Sequence, residues 1–160
     1  MNIRKAIRED KNQLLYLVNK FDDYYIEGKI FPENFLPFVK YKDKNKLFQE
    51  VVDDWLHNPK YFIYVAEENG NLVGYICGTI QAKSQRVLNK EGFIEDWFVL
   101  DEYRHIGVGK QLYDILMKDF KNEQCNRLGL KAYAANKETI EMYRRMGFID
   151  AELAMVKNMD

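Results

Sequence analysis

The chain has 160 residues, of which 47% are hydrophobic and 31% charged, and its formal net charge is −1. These values predict one soluble globular domain over residues 1–160, and they give no reason to expect a nucleic-acid or membrane partner. No apolar run approaches the roughly 18 residues of a membrane span. The charged N-terminal residues do not resemble a signal peptide, so we expect a cytoplasmic protein.

The first half of the chain predicts a short strand followed by two helices. The strand covers about residues 2–7, and Leu14, Leu15, Val18 and Phe21 then recur at helical spacing. The stretch IFPENFLPF interrupts this pattern with two prolines. A second helix is predicted over about residues 44–57.

The second half predicts a hairpin and then alternating strands and helices. The hairpin lies in YFIYVAEENGNLVGYICGTI, with its turn at ENGN. The order βααβββαβαβ predicts an α/β (α+β) fold, a mixed central sheet with helices on both faces. The later elements are strand 93–100, helix 107–121, a strand over RLGLKAYA, helix 137–146 between Asn136 and Gly147, and a last strand over FIDAELAMVKNM.

Cysteine and histidine spacing gives no metal or redox motif. Cys77 and Cys125 form no CxxC pair, and neither His57 nor His105 has a partner at ligand spacing. We therefore expect reduced thiols and no bound metal.

The stretch VLDEYRHIGVGKQL joins the strand 93–100 to the helix after it. It holds Gly107 and Gly109 between the cations Arg104 and Lys110. Free backbone amides at a helix start suit a pyrophosphate, because the helix dipole points at the same place. The P-loop motif does not match, because no glycine stands five residues before Gly109. The dinucleotide motif does not match, because position 112 is leucine. The alternative is an ordinary turn that uses glycine for its geometry.

Together with the residues on either side, this stretch resembles the acyl-CoA-binding segment of the GNAT superfamily of N-acetyltransferases. The extended segment reads EDWFVLDEYRHIGVGKQLYDIL. Arg104, Gly107 and Gly109 match the family pattern [R/Q]-x-x-G-x-[G/A]. The family often has proline where Asp101 stands and glycine where His105 stands. A second family segment matches NKETIEMYRRMGF, and the resemblance covers about residues 61–158.

This resemblance implies a GNAT-like sheet of about six or seven strands that splay apart at the acyl-CoA site. It implies acetyl-CoA as the cosubstrate, with pantetheine along the edge of strand 93–100. The cofactor-binding residues it implies are Phe98, Val99, Arg104, His105, Ile106, Gly107, Val108, Gly109, Lys110 and Asn136.

Amide formation needs a base for the amine and a hydrogen bond for the leaving thiolate. Alternation along a strand puts Glu95 on the face of Trp97 and Val99, and Asp96 on the other face. The resemblance favours Glu95 as base, with Asp96 as the alternative, and a bulge near Phe98 would change which face each side chain takes. The resemblance also makes Tyr143 the group that hydrogen-bonds the thiolate.

The acceptor is expected to be a small-molecule or peptide amine. Asp22, Asp23 and Glu27 can attract a cationic amine, and Tyr24 or Tyr25 can stack on it, although a solvated helix end is the alternative. The resemblance implies a homodimer. The leading hypothesis is an N-acetyltransferase acting by direct transfer, and the alternative is an acyl-CoA-binding sensor without turnover.

Overall fold

The computed structural model describes residues 1–28 and 30–159. Over these residues it contains five strands and five α-helices. The strands are β1 Asn2–Lys5, β2 Phe62–Glu68, β3 Asn71–Ala82, β4 Lys90–Val99 and β5 Arg127–Leu130. The helices are α1 Lys11–Ile26, α2 Leu36–Val39, α3 Lys44–His57, α4 Val108–Asn122 and α5 Lys137–Arg145.

The strands form one mixed sheet in the order β1-β2-β3-β4-β5. Neighbours from β1 to β4 are antiparallel, and β5 runs parallel to β4. A parallel pair requires a crossover, and α4 supplies it.

Helix α4 covers one face of the sheet. Its buried residues recur every four positions, which places them on one stripe of the helix. They are Val108, Leu112, Leu116 and Phe120, and they join Ile76, Ile94 and Val99 of the sheet in one apolar cluster.

Helices α1 and α3 cover the opposite face. Tyr75 of β3 lies with its ring centroid 5.6 Å from that of Trp55 in α3. Phe98 of β4 lies 5.4 Å from Phe21 in α1 by the same measure. The predicted mixed sheet with helices on both faces is therefore confirmed.

The chain divides into two compact units, one of Met1–Asp22 and Asp43–Lys131 and one of Asp23–Lys42 and Ala132–Asp160. The first unit holds the sheet. The second has an aromatic cluster in which the Tyr25, Phe31 and Tyr133 rings lie within about 5 Å of one another. Phe35 and Phe38 extend this cluster.

The prediction of a last strand over 148–159 is wrong, because the described part of this segment has no regular structure. The sheet has five strands within the described chain instead of six or seven. A strand needs hydrogen bonds from a neighbour, and a local apolar pattern does not specify one. Apolar side chains of the segment are exposed instead, Met155 to 86%.

In the described chain, no helix combines the length and the apolar character that crossing a membrane requires.

We expect Gly92→Ala to lower the free energy of unfolding by about 1–3 kcal/mol, the usual range for an overpacked core. A Cβ at this β4 position would lie 2.6 Å from Cγ of the buried Phe120 ring. Urea denaturation measures the loss. In the double variant Gly92→Ala/Phe120→Leu, the ring atoms that the new Cβ would meet are removed. The loss in the double variant should therefore differ from the sum of the two single losses. A loss equal to that sum would contradict this packing.

Candidate functional site

A β-bulge interrupts β4 where two carboxylates follow one another. Cys77 of β3 pairs with Asp96, and the next residue, Gly78, pairs with Ile94. Glu95 is therefore the extra residue of the bulge. Beyond such a residue the side chains of the strand change faces relative to an unbroken strand.

The bulge brings both carboxylates to the same side of β3. The Thr79 hydroxyl donates to Glu95 Oε1 at 2.6 Å, and the Tyr75 hydroxyl donates to Asp96 Oδ2 at 2.9 Å. Tyr75 and Thr79 lie on one face, because they are four residues apart on a regular strand. The prediction that Glu95 and Asp96 face opposite ways is wrong, and the bulge lies at Glu95 and not near Phe98.

Trp97 confirms this change of face. Its ring stacks on Tyr113 of α4 at 5.6 Å, so it lies on the α4 side together with Val99. Glu95 thus does not share a face with Trp97 and Val99.

The two carboxylates differ in environment. Glu95 is exposed, whereas Asp96 is half-buried. Burial raises the pKa of Asp96 to about 7; the hydrogen bonds from Tyr75 and from the Trp97 amide lower it, and the charge of Glu95 raises it. Asp96 therefore exchanges a proton near neutral pH, which favours acid–base work.

Cys77 lies between Tyr75 and Thr79 on the same face of β3 and is fully buried. Burial, and next the negative charge of Asp96, raise the pKa of its thiol well above the ordinary value. A thiol in that state is a poor nucleophile.

The second half of β4 pairs with a neighbour on one side only, within the described residues. The pairing with β5 ends at Ile94 and Leu130, while the pairing with β3 continues to Val99. This is the splayed edge that the family resemblance implies. The amide of Leu100 donates to the Val73 carbonyl, so the alternate residue Phe98 also directs its backbone toward β3.

Val99 and Trp97 direct their backbone groups to the open side of β4. The Val99 carbonyl accepts a hydrogen bond from Arg104 Nε at 2.8 Å, and the Trp97 amide donates to Asp96 Oδ1 at 3.0 Å. Of the two strand residues expected to hold pantetheine, Val99 therefore has its backbone on the open side and Phe98 does not.

The side chain of Arg104 folds back onto the end of β4. Besides its bond to Val99, its guanidinium lies 5.4 Å from the Phe98 ring centroid and pairs with Asp101 at 2.8 Å. These contacts fix the start of the turn. Asp101 occupies the place where the family often has proline, and here it anchors the arginine.

The turn itself depends on two left-handed residues, His105 with φ 63° and Gly107 with φ 91°. The first helical bond of α4 runs from the Gln111 amide to the Gly107 carbonyl, so the amides of Val108, Gly109 and Lys110 precede the hydrogen-bonded ladder. Such amides suit a phosphate group.

The side chains of the turn divide by exposure. Val108 is buried and anchors the helix in the core, whereas Ile106 is 65% exposed. Lys110 is exposed and pairs with Asp114 one turn further along α4. A Cβ on Gly109 would lie 3.4 Å from the Trp97 ring, an ordinary contact that leaves little room for a larger side chain.

Asn136 and Tyr143 belong to the second unit. Asn136 is buried; its Oδ1 accepts from the Thr139 amide as the N-cap of α5, and its Nδ2 donates to the Tyr25 hydroxyl at 3.2 Å. Tyr143 is half-buried, with its ring 5.8 Å from that of Phe148. The N-cap prediction is confirmed.

The acceptor residues expected from the sequence have structural partners. Asp22 pairs with Lys44 at 2.7 Å. Tyr25 is a buried member of the aromatic cluster, and Tyr24 lies edge-on to it at 5.5 Å. Sequence analysis missed Tyr75 and Thr79, because only the β3–β4 register shows that they meet the two carboxylates.

No group of three His, Cys, Asp or Glu side chains within residues 1–28 and 30–159 is arranged to hold a metal ion.

The chain belongs to the acetyltransferase (GNAT) family, whose model matches residues 24–148. It is 30% identical over 96 residues to an N-alpha-acetyltransferase of Sulfurisphaera tokodaii, a match that covers 56% of this chain and 58% of that protein. It is 23% identical over 137 residues to the uncharacterized N-acetyltransferase YycN of Bacillus subtilis, which covers 85% and 86% of the two chains.

Solved structures share the fold. The BH1408 protein of Bacillus halodurans superposes with a TM-score of 0.81 at 16% identity over 99% of both chains. The aminoglycoside N-acetyltransferase AAC(6')-Iy, solved with CoA, gives 0.71 at 16% identity over 98% of this chain and 93% of that one. Acetyl-CoA is the cosubstrate that belongs to this family and fold, and the open side of β4 with the amides of the turn fits it.

We expect Gly107→Ala to lower the free energy of unfolding by about 1 kcal/mol, because a Cβ is unfavourable in the left-handed region even where space is open. His105→Gly is the matched control: it removes a Cβ from the same region, and we expect no comparable loss. Thermal melts followed by circular dichroism test both. A loss in His105→Gly equal to that in Gly107→Ala would contradict this account of the turn.

Proposed function

We propose that this protein is an acetyl-CoA-dependent N-acetyltransferase that moves the acetyl group directly to a primary amine in a ternary complex. The observation that carries the proposal is the open side of β4, which leads directly into the turn at the start of α4. The strand has a backbone amide to offer at Val99, and the turn has three helix-start amides beside it. We also propose that the protein is cytoplasmic and that it forms a homodimer, the latter because the family resemblance implies one.

The turn binds the pyrophosphate through the amides from His105 to Lys110. Gly107 allows the left-handed bend, and Lys110 adds positive charge. The Val99 amide is positioned to stabilise the negative charge that develops on the thioester oxygen when the amine adds.

The amine attacks as its free base. A lysine-like amine with a pKa of about 10.4 is neutral in roughly one molecule in 2,500 at pH 7, a cost of about 4.6 kcal/mol. One of the two carboxylates of the bulge, Glu95 or Asp96, takes the proton. The N–C bond forms and the C–S bond breaks.

Tyr143 hydrogen-bonds the departing sulfur. A phenol with a pKa of about 10 is a weaker acid than a thiol near 8.5, so complete proton transfer would be uphill by about 2 kcal/mol. We therefore assign Tyr143 a hydrogen bond to the thiolate, with solvent supplying the final proton.

Direct transfer is supported by the state of the cysteines. Cys77 is buried with a raised pKa, and burial raises the pKa of the half-buried Cys125 as well. Neither is suited to forming an acyl-enzyme at neutral pH.

We expect the acceptor to belong to one of the amine classes for which similar proteins are named. These include α-amines, the alanine of a ribosomal protein, and aminoglycosides. We measure thiol release from acetyl-CoA with an unblocked peptide, kanamycin, spermidine and free lysine as acceptors. Release with one class supports the proposal and names the class. Silence with all four, while calorimetry shows CoA binding, would contradict turnover and favour an acyl-CoA sensor.

We expect Tyr143→Phe to lower kcat by roughly 10- to 100-fold, the effect of one lost hydrogen bond to a charged group. The Kd for CoA measured by calorimetry should stay within about twofold, because the bond forms as the thiolate develops. Tyr16→Phe, at a tyrosine 52% exposed on α1, is the control that should leave both values unchanged. An unaltered kcat in Tyr143→Phe would remove Tyr143 from the mechanism.

A further inference from the structure

Tyr75 is a fully buried tyrosine whose hydroxyl has a defined partner. Its ring lies 5.6 Å from that of Trp55 and 6.5 Å from that of Phe98, between α3 and β4. The hydroxyl donates to Asp96 Oδ2 at 2.9 Å. A phenol enclosed in this way has no freedom to move aside, so it fixes the carboxylate that it contacts.

Asp96 is fixed at its second oxygen as well. Its Oδ1 accepts from the Trp97 amide, which faces the open side of β4. The carboxylate therefore extends from the buried face to the edge where Val99 offers its backbone. Glu95 differs, since it is exposed and accepts its hydrogen bond from the Thr79 hydroxyl.

We propose that Tyr75 is a positioning residue for the acetyl transfer and that it holds Asp96 as the carboxylate that accepts the proton of the attacking amine. This inference rests on the proposed function. The N–C bond forms as the C–S bond breaks and the thiolate leaves, while the N–H bond of the amine breaks and an O–H bond forms on Asp96. Asp96 then returns its proton to solvent, so the carboxylate is regenerated.

The groups that act on Asp96 come from two strands. Glu95 on β4 raises its pKa by charge, whereas the Tyr75 hydroxyl on β3 and the Trp97 amide lower it. Cys77 of β3 is also titratable and stays a neutral thiol. The charge of Asp54 in α3 contributes to the raised pKa of that thiol. With a pKa of about 7, Asp96 is a carboxylate above neutral pH and a neutral acid below it.

The protonation of Asp96 sets the direction in which kcat/KM changes with pH. A base must be deprotonated to act, so kcat/KM should fall as the pH drops through the pKa of Asp96. Because the Tyr75 hydroxyl stabilises the charged form, its removal should move this acid limb to higher pH, by about one unit. At pH values above the new limb the rate should recover, which a merely structural defect would not produce.

The test compares wild type with two variants. Tyr75→Phe keeps the ring and removes the hydroxyl that donates to Asp96. Thr79→Val removes the hydroxyl that donates to Glu95. The ¹³C shift of the Asp96 carboxyl is titrated in each protein without substrates. The acid limb of kcat/KM is then measured with acetyl-CoA and the accepted amine. We expect both midpoints to rise in Tyr75→Phe, the Asp96 midpoint to stay near its wild-type value in Thr79→Val, and Asp96→Asn to lose 10²- to 10⁴-fold in kcat/KM.

Three results would overturn the inference. One is an Asp96 midpoint that is unchanged in a folded Tyr75→Phe protein. Another is full activity in Asp96→Asn together with its loss in Glu95→Gln, which would make Glu95 the base. If wild type releases no thiol with any amine while the Asp96 midpoint still moves, the pairing stands, but the proposed function fails and the catalytic role fails with it.

Discussion

The bulge at Glu95 is the constraint on which the arrangement of the site depends. Because β4 has one extra residue, Ile94, Trp97 and Val99 all lie on the face that α4 covers. The two successive carboxylates, Glu95 and Asp96, lie on the other face, where they meet β3. Without the bulge, Glu95 and Asp96 would point to opposite faces. With it, each carboxylate meets a hydroxyl of β3, and the strand continues past the end of its pairing with β5.

The open side of β4 and the start of α4 are joined by a short turn whose geometry is fixed from both ends. Arg104 bonds back to the Val99 carbonyl, and Val108 is buried in the core beneath the helix. Between them the chain reverses through His105 and Gly107 in the left-handed region. The helix-start amides thereby follow directly on the part of β4 that, among the described residues, pairs with β3 alone. The binding that we propose for a long phosphorylated cosubstrate therefore relies on backbone amides more than on charged side chains.

Local electrostatics matter more here than the net charge of −1. Burial of Asp96 favours its neutral form, and hydrogen bonds from Tyr75 and Trp97 favour its charged form, so its pKa comes to about 7. The same burial keeps the thiol of Cys77 protonated. One face of β3 and β4 therefore carries a group suited to proton transfer beside a thiol that is not suited to nucleophilic attack.

The sequence by itself determined the family, the cosubstrate and the main elements, because each of these is written in local patterns. Helices α3, α4 and α5 follow from apolar spacing and from caps at Asn136 and Gly147, and the turn follows from Arg104, Gly107 and Gly109. The tertiary structure alone decided the bulge, and with it the partners Tyr75 and Thr79, because register between strands is a non-local property. It also decided that 148–159 forms no strand, since strand formation depends on a neighbour's hydrogen bonds and not on apolar pattern alone.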